Sequence, residues 1–460
     1  MGYRLVRGVI RLLLWLFYSR IDVVGRDRVP AAGPLIVAAN HHNSVADAML
    51  IIATLPRPIT VLANAPLFRH PLVGPFLWLM GAVPVHRRQE AGDDPAKNAG
   101  MFAAVIGALR AGGAILIFPE GRTQSQPMLL PLRTGAARIL LDTERGGSGP
   151  GGVALLPVGL VFHDPGTFRS ASVLVNVGEP VATADLHAAP PASPDAAARA
   201  LTARLADALR ALIIEAEDQH TLGLLEALET AWWDEAVRRD EAPAGARDPR
   251  TSLAWRQNVM RGAAALAERE PERVGGLRRR LEDHLGRLDE IGLTSGELGR
   301  PYTARAVLRY VAENAVWLAV GLPLALLGIA GHGIPYWLTG RAARWIGATA
   351  EEEATDKIVA GLVIYPIFWA LEGWLVWRLT GVAPLVLYLV LLAPSGLLAL
   401  AWRERLSRVG RQARAFGRFL VERDLHAGLL HERRALINEL RALAERVPAA
   451  GGPGGGAHGR

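Results

Sequence analysis

The rhythm of apolar positions divides the chain into regions. From Tyr3 to Tyr18, Leu5, Val9, Ile10, Leu13 and Leu14 are interspersed with Arg4, Arg7 and Arg11 at helical spacing. The uncharged run Leu12–Ser19 is short, no small-residue cleavage site follows, and Arg20 and Asp22 come at once. Residues 1–20 therefore read as an uncleaved amphipathic helix in a membrane interface rather than a signal peptide. Over residues 21–190 the pattern changes to short β-rich runs at Ile21–Val24, Leu35–Ala39, Ile59–Leu62, Ala82–Val85, Ala114–Phe118, Leu155–Phe162 and Ser172–Val177. Helical patterns at Asp47–Thr54 and Asn98–Ala111 lie between them, which predicts an α/β domain: a mixed sheet flanked by helices.

Residues 191–304 are helical in pattern, with Leu201, Leu205, Leu209, Leu212 and Ile213 on one face and a linker at Glu241–Pro249. Residues 305–402 hold three apolar runs. Asn314–Gly340 and Leu379–Trp402 carry no Asp, Glu, Lys or Arg, and Ile358–Trp377 carries only Glu372. A spanning helix needs about 20 apolar residues, so each run is long enough to be membrane-inserted. An Arg-rich amphipathic helix is expected over 403–447, and a Gly/Pro-rich disordered tail over 448–460. Arginines flank both ends of 305–402, which under the positive-inside rule implies an even number of crossings. The arrangement expected is a spanning hairpin of 358–377 and 379–402, with 314–340 re-entrant and bent at Pro323 or Pro335. Glu372 should then face protein or water.

Composition removes several chemistries. The chain has 460 residues and no cysteine, which excludes disulfides, Cys-ligated zinc, iron–sulfur clusters and a cysteine nucleophile. A net charge of +7 suggests an anionic partner. Only Lys97 and Lys357 are lysines, however, and no stripe of bases and aromatics supports nucleic acid as that partner. No metal or organic cofactor is implied.

Candidate chemistry sits at strand ends. Asn40-His41-His42-Asn43-Ser44-Val45-Ala46-Asp47 follows the run Leu35–Ala39 and places His42 five residues before Asp47. Such a pair suits a general base whose ring is oriented by a carboxylate. Ser44-Val45-Ala46-Asp47 also fits a helix-capping box. Phe118-Pro119-Glu120-Gly121-Arg122-Thr123 follows the next buried run. Gly121 there lets backbone approach a ligand, and Arg122 offers a fork for phosphate. Gly81-Ala82-Val83-Pro84-Val85-His86-Arg87 ends a short strand in a cation, and Leu155-Leu156-Pro157-Val158-Gly159 carries a proline of the kind found on sheet edges.

In order and spacing these four blocks resemble the glycerolipid acyltransferase superfamily: His-x4-Asp at His42 and Asp47, Gly-x-x-Pro-Val-x-Arg at Gly81 to Arg87, Phe-Pro-Glu-Gly at Phe118 to Gly121, and a strand with a proline at Pro157. His86 stands where members often have Asp. The stretches Leu130–Ala136 and Phe162–Ser170, with hydrophobic segments near the C-terminus, are similar to the fungal-type glycerol-3-phosphate/dihydroxyacetone-phosphate acyltransferases and their bacterial relatives. The resemblance implies a membrane-bound enzyme of phospholipid synthesis. His42 would deprotonate an acceptor hydroxyl, with Asp47 orienting it, and Arg87, Glu120, Gly121 and Arg122 would form the site for a phosphorylated glycerol. The alkoxide would attack the thioester of acyl-CoA or acyl-carrier protein, a co-substrate rather than a cofactor. It further implies membrane lipids as partners and a place in the bacterial inner membrane, with the catalytic domain facing the cytoplasm. A lysophospholipid such as lysophosphatidic acid is the competing acceptor. Of two other classes, a serine hydrolase lacks its Gly-x-Ser-x-Gly elbow, and a non-catalytic lipid-binding protein would not need His42, Asp47 and Glu120.

Overall fold

The computed structural model describes residues 2–69, 73–85, 98–124, 126–145, 152–163, 168, 172–183, 193–243, 248–299, 302–345, 353–422 and 424–446. Each β-rich run becomes a strand: β1 (Arg20–Val24), β2 (Leu35–Ala39), β3 (Thr60–Asn64), β4 (Val83–Val85), β5 (Ala114–Ile117), β6 (Ala154–His163) and β7 (Ser172–Val177). They form one sheet of order β1-β7-β6-β2-β5-β3-β4. All neighbours are parallel except β6 and β7. This is the mixed sheet the pattern predicts, flanked by helices α1 (Gly2–Phe17), α2 (Val45–Thr54), α3 (Val73–Leu79), α4 (Asn98–Arg110), α5 (Gly135–Arg145) and α6 (Pro194–Arg210).

Strand β2 is buried throughout and divides the core by its alternation. Leu35, Val37 and Ala39 face a layer that holds α1 and α2, whereas Ile36 and Ala38 face a layer with Leu109, Ile139, Leu140 and Leu201. Helix α1 buries Val6, Ile10, Leu14 and Phe17 and leaves Leu5, Leu12 and Trp15 exposed. Its Arg11 donates to the Ala53 carbonyl at 3.0 Å, and Arg7 donates to the carbonyls of Ala53 and Leu55. Two of the three arginines expected on a polar interfacial face thus cap the C-terminus of α2, where orphan carbonyls and the helix dipole favour cations.

Two further expectations change. Pro157 lies in an interior strand, not on an edge. Pairing of β6 with β7 starts only at Val158–Val177, so the N–H that proline lacks falls just outside that ladder. Helix α6 packs in the second core layer, and the compact unit runs through Glu217, beyond the compositional break at 190. That unit also includes residues 334–371.

The second unit, Asp218–Gly333 with Glu372–Arg460, is helical. Among its helices are α7 (Gln219–Arg238), α8 (Pro249–Ala267) and α9 (Pro271–Ile291). Asp218 and Asp248 cap the first two through the N–H groups of Thr221 and Thr251. Among the described residues of the whole chain, three helices are long and apolar enough to cross a membrane: α10 (Ala304–Trp345), α11 (Glu353–Thr380) and α12 (Val382–Val421). Run 314–340 lies inside the single helix α10, without the bend expected of a re-entrant segment. Its 42 residues are uninterrupted at Pro323 and Pro335. Within the second unit, Gly328 of α10 lies against the Ser395 carbonyl, and Gly396 accommodates the His332 ring. Glu372 accepts the Tyr388 hydroxyl at 2.6 Å, so its carboxyl faces protein. The amphipathic helix expected over 403–447 is two elements, the end of α12 and α13 (Leu425–Ala444). The tail 448–460 lies outside the described residues.

Candidate active site

The two richest loops leave the C-terminal ends of adjacent parallel strands, β2 and β5, paired up to Ala38–Ile117. Ligand sites of open α/β sheets gather at such ends. Continuing the alternation of β2 sends His41 toward the α2 layer, on the side of Val37 and Ala39. The buried Asp47, in the first turn of α2, meets it there: His41 Nδ1 donates to Asp47 Oδ2 at 2.9 Å. The same oxygen accepts the backbone N–H groups of His42 at 2.7 Å and Asn43 at 2.8 Å. The Ser44 side chain makes no cap, so this is not a capping box. Asp47 instead fixes the loop ahead of its helix.

His42 was the histidine expected to pair with Asp47, but it reaches that carboxylate through its backbone N–H alone. Its ring is engaged elsewhere. Leu160 N–H donates to Asn40 Oδ1 at 2.7 Å, which orients the buried amide so that Nδ2 donates to the Leu160 carbonyl at 2.9 Å and to His42 Nδ1 at 3.1 Å. The ring also hydrogen bonds to the backbone of Gln126. Burial depresses the His42 pKa below the usual imidazole value, against the pull of Asp47. The His42 ring is thus engaged on two sides. His41, with Nδ1 on Asp47, has Nε2 as its remaining nitrogen, and its face stacks on Phe118 at 4.0 Å between centroids.

Glu120 supports the same loop. Its Oε1 accepts the His41 N–H at 2.8 Å and its Oε2 the Leu130 N–H at 3.1 Å. Burial pushes its pKa up to about 7, against the lowering effect of both amide bonds and of nearby Arg122. Arg133 N–H closes the turn onto Pro119 O, and Gln124 N–H donates to His41 O. Gly121 has φ 71°, and a Cβ there would fall 2.7 Å from Arg133 Nε. Only glycine fits both that backbone and the guanidinium lying over it. Arg122 and Arg133 are both exposed at this loop. Arg87 lies outside the described residues. Among the described residues no group of three His, Asp or Glu side chains is gathered as for a metal ion.

The phenol of Tyr18, at the end of α1, is buried near Asp47. Burial, and then the Asp47 charge, raise its pKa above the usual phenol range. The reading of sequence alone missed His41, Arg133 and Tyr18. The period-two alternation of β2 carried the signal for His41. Arg133 lies within Leu130–Ala136 without a motif of its own.

The loops thus gather a histidine–carboxylate pair, a second, engaged histidine and two exposed arginines at a glycine turn. Residues 20–161 match the family model described as Acyltransferase. A 1-acyl-sn-glycerol-3-phosphate acyltransferase of Borreliella burgdorferi is 28% identical over 39% of this chain and 65% of its own length. Glycerol-3-phosphate O-acyltransferase 2 of Saccharomyces cerevisiae is 26% identical over 51% of this chain and 30% of its own. The chain thus spans less than two thirds of these relatives. The crystal structure of the 1-acyl-sn-glycerophosphate (LPA) acyltransferase PlsC from Thermotoga maritima aligns with a TM-score of 0.34 at 21% identity, covering 46% of this chain and 79% of that one.

Proposed function

We propose that the protein is a membrane-bound O-acyltransferase that moves a fatty acyl group from a thioester donor, acyl-CoA or acyl-carrier protein, to glycerol 3-phosphate. The observation that carries this reading is the 2.9 Å contact between His41 Nδ1 and Asp47 beside the Glu120–Arg122 turn. His41 Nε2 takes the proton of the acceptor hydroxyl while Asp47 holds the ring and stabilises the imidazolium. The alkoxide attacks the thioester carbonyl, the C–S bond breaks, and the thiolate leaves with the proton from His41. Motif spacing gave the base role to His42; the hydrogen-bond geometry favours His41. Arg122 and Arg133 bind the acceptor phosphate, together with Arg87. Glu120 and Gly121 shape the turn that presents them. General base catalysis supplies about 10²–10⁴-fold, and alignment of the two substrates supplies much of the rest.

The three long apolar helices support a membrane protein. The reading puts it in the bacterial inner membrane, with the catalytic unit on the cytoplasmic side, where acyl thioesters and glycerol phosphates occur. The curated relatives named for 1-acylglycerol-3-phosphate favour a second acceptor of the same type, lysophosphatidic acid. The test is acyl transfer by the purified full chain, with labelled palmitoyl-CoA and palmitoyl-carrier protein, against glycerol 3-phosphate, dihydroxyacetone phosphate and lysophosphatidic acid. Product with glycerol 3-phosphate is expected. Product only with lysophosphatidic acid would move the acceptor, and no product with any pair would overturn the reading.

A further inference from the structure

The turn that carries Asp47 has a backbone that serine disfavours. Ser44 sits at φ 47°, ψ −122°, and Ala46 N–H donates to Asn43 O at 2.9 Å. These are the dihedrals of the first central position of a type II′ turn, a place that glycine fills without strain. Such a conformation in a non-glycine residue persists only when its surroundings over-determine it. From inside the loop, Asp47 holds the Asn43 N–H. From outside, Thr355 Oγ1 donates to the Asn43 carbonyl at 3.3 Å, across 312 residues of sequence. Thr355 is buried in the first turn of α11. One turn on, Ile358 is buried in the core layer that contains β2. Tyr336 of α10 meets Phe168 edge-on, with centroids 6.1 Å apart. All these residues belong to the first unit.

We infer that Thr355, on an apolar helix, is a positioning residue for acyl transfer: its hydroxyl braces the strained Asn43–Ala46 turn and so sets Asp47 against His41. Thr355 touches no reacting group in this scheme. It acts through the peptide between Asn43 and Ser44, where a small rotation would displace the first turn of α2 and the carboxylate with it. Losing the brace should slow the chemical step more than it weakens substrate binding.

The inference rests on the acyl-transfer reading, and the experiment separates the two. The full chain in lipid nanodiscs is assayed with labelled palmitoyl-CoA and glycerol 3-phosphate, per unit of folded protein judged by size exclusion and circular dichroism. An inactive wild-type chain would be a failure of the functional reading alone. With an active wild type, Thr355→Val should lower kcat about tenfold with KM changed less than about threefold, the signature of an interaction made in the transition state. Thr355→Ser keeps the hydroxyl and should stay within about threefold of wild type. Adding Ser44→Gly to Thr355→Val removes the steric reason for the brace, and kcat should recover to within about threefold. A Thr355→Val variant with unchanged kcat, or a double variant as slow as Thr355→Val alone, would overturn the inference.

Discussion

Buried charge is satisfied differently in the two units. In the sheet unit, Asp47 and Glu120 are held by backbone amides: His42 and Asn43 for one, His41 and Leu130 for the other. In the helical unit, several buried charges meet opposite charges on side chains. Glu229 accepts Arg256 Nε and Ser252 Oγ, both at 2.6 Å, Glu235 pairs with Arg239 at 3.1 Å, and the fully buried Arg433 lies 3.5 Å from Asp234. A carboxylate bound to amides fixes the loop that donates those amides. An ion pair cancels its charges and adds little net stability over an apolar pair, although breaking it is costly. The first arrangement suits catalysis and the second suits assembly of helices.

Substitutions should separate the two. Asp47→Asn keeps the shape and one acceptor oxygen but removes the negative charge that faces His41 and the two amides. It should lower kcat about 10³-fold, within the range of general base catalysis, with the chain still folded by circular dichroism. Arg122→Ala should raise KM for glycerol 3-phosphate far more than for the acyl donor. Loss of a charge-assisted contact of about 1.5–3 kcal/mol corresponds to roughly 10–150-fold.

Glu120 gives a pH signature. Its folded pKa is raised to about 7 from 4.5. The stabilising contribution is therefore fully present below 4.5 and is lost as pH rises through about 7. The thermal midpoint of the wild type should fall between pH 5 and pH 8, and Glu120→Gln should flatten that slope. In the helical unit, Glu229→Gln leaves Arg256 without its charge partner on this carboxyl. It should cost about 3 kcal/mol of stability in denaturation of the detergent-solubilised chain, with kcat per folded molecule unchanged. A catalytic loss there, or none at Asp47, would erase the comparison.

The strands were legible because period-two and buried runs between turn residues carry strong signals. All seven strands follow the β-rich runs. Pro157 misled because its missing N–H depends on where β7 begins to pair, which local sequence does not state. The His-x4-Asp spacing assigned Asp47 to His42, whereas the ring that meets Asp47 Oδ2 is that of His41. Spacing measures the path along the chain, while the face of β2 decides which ring meets α2. Asn40, which engages His42, is bonded to Leu160, far away in sequence. Thr355 and Tyr18 were invisible for the same reason. Positive-inside parity favoured a re-entrant segment, whereas helix propensity and packing carry α10 through both prolines.

The central claim is that His41, not its neighbour, is the base that Asp47 serves. His41→Ala and His42→Ala, made separately in the full chain, are compared in steady-state acyl transfer to glycerol 3-phosphate. The account predicts a kcat loss of about 10³-fold for His41→Ala, in the range general base catalysis supplies, and a loss of about tenfold or less for His42→Ala. The reverse order, with His41→Ala retaining near-normal turnover, would contradict it.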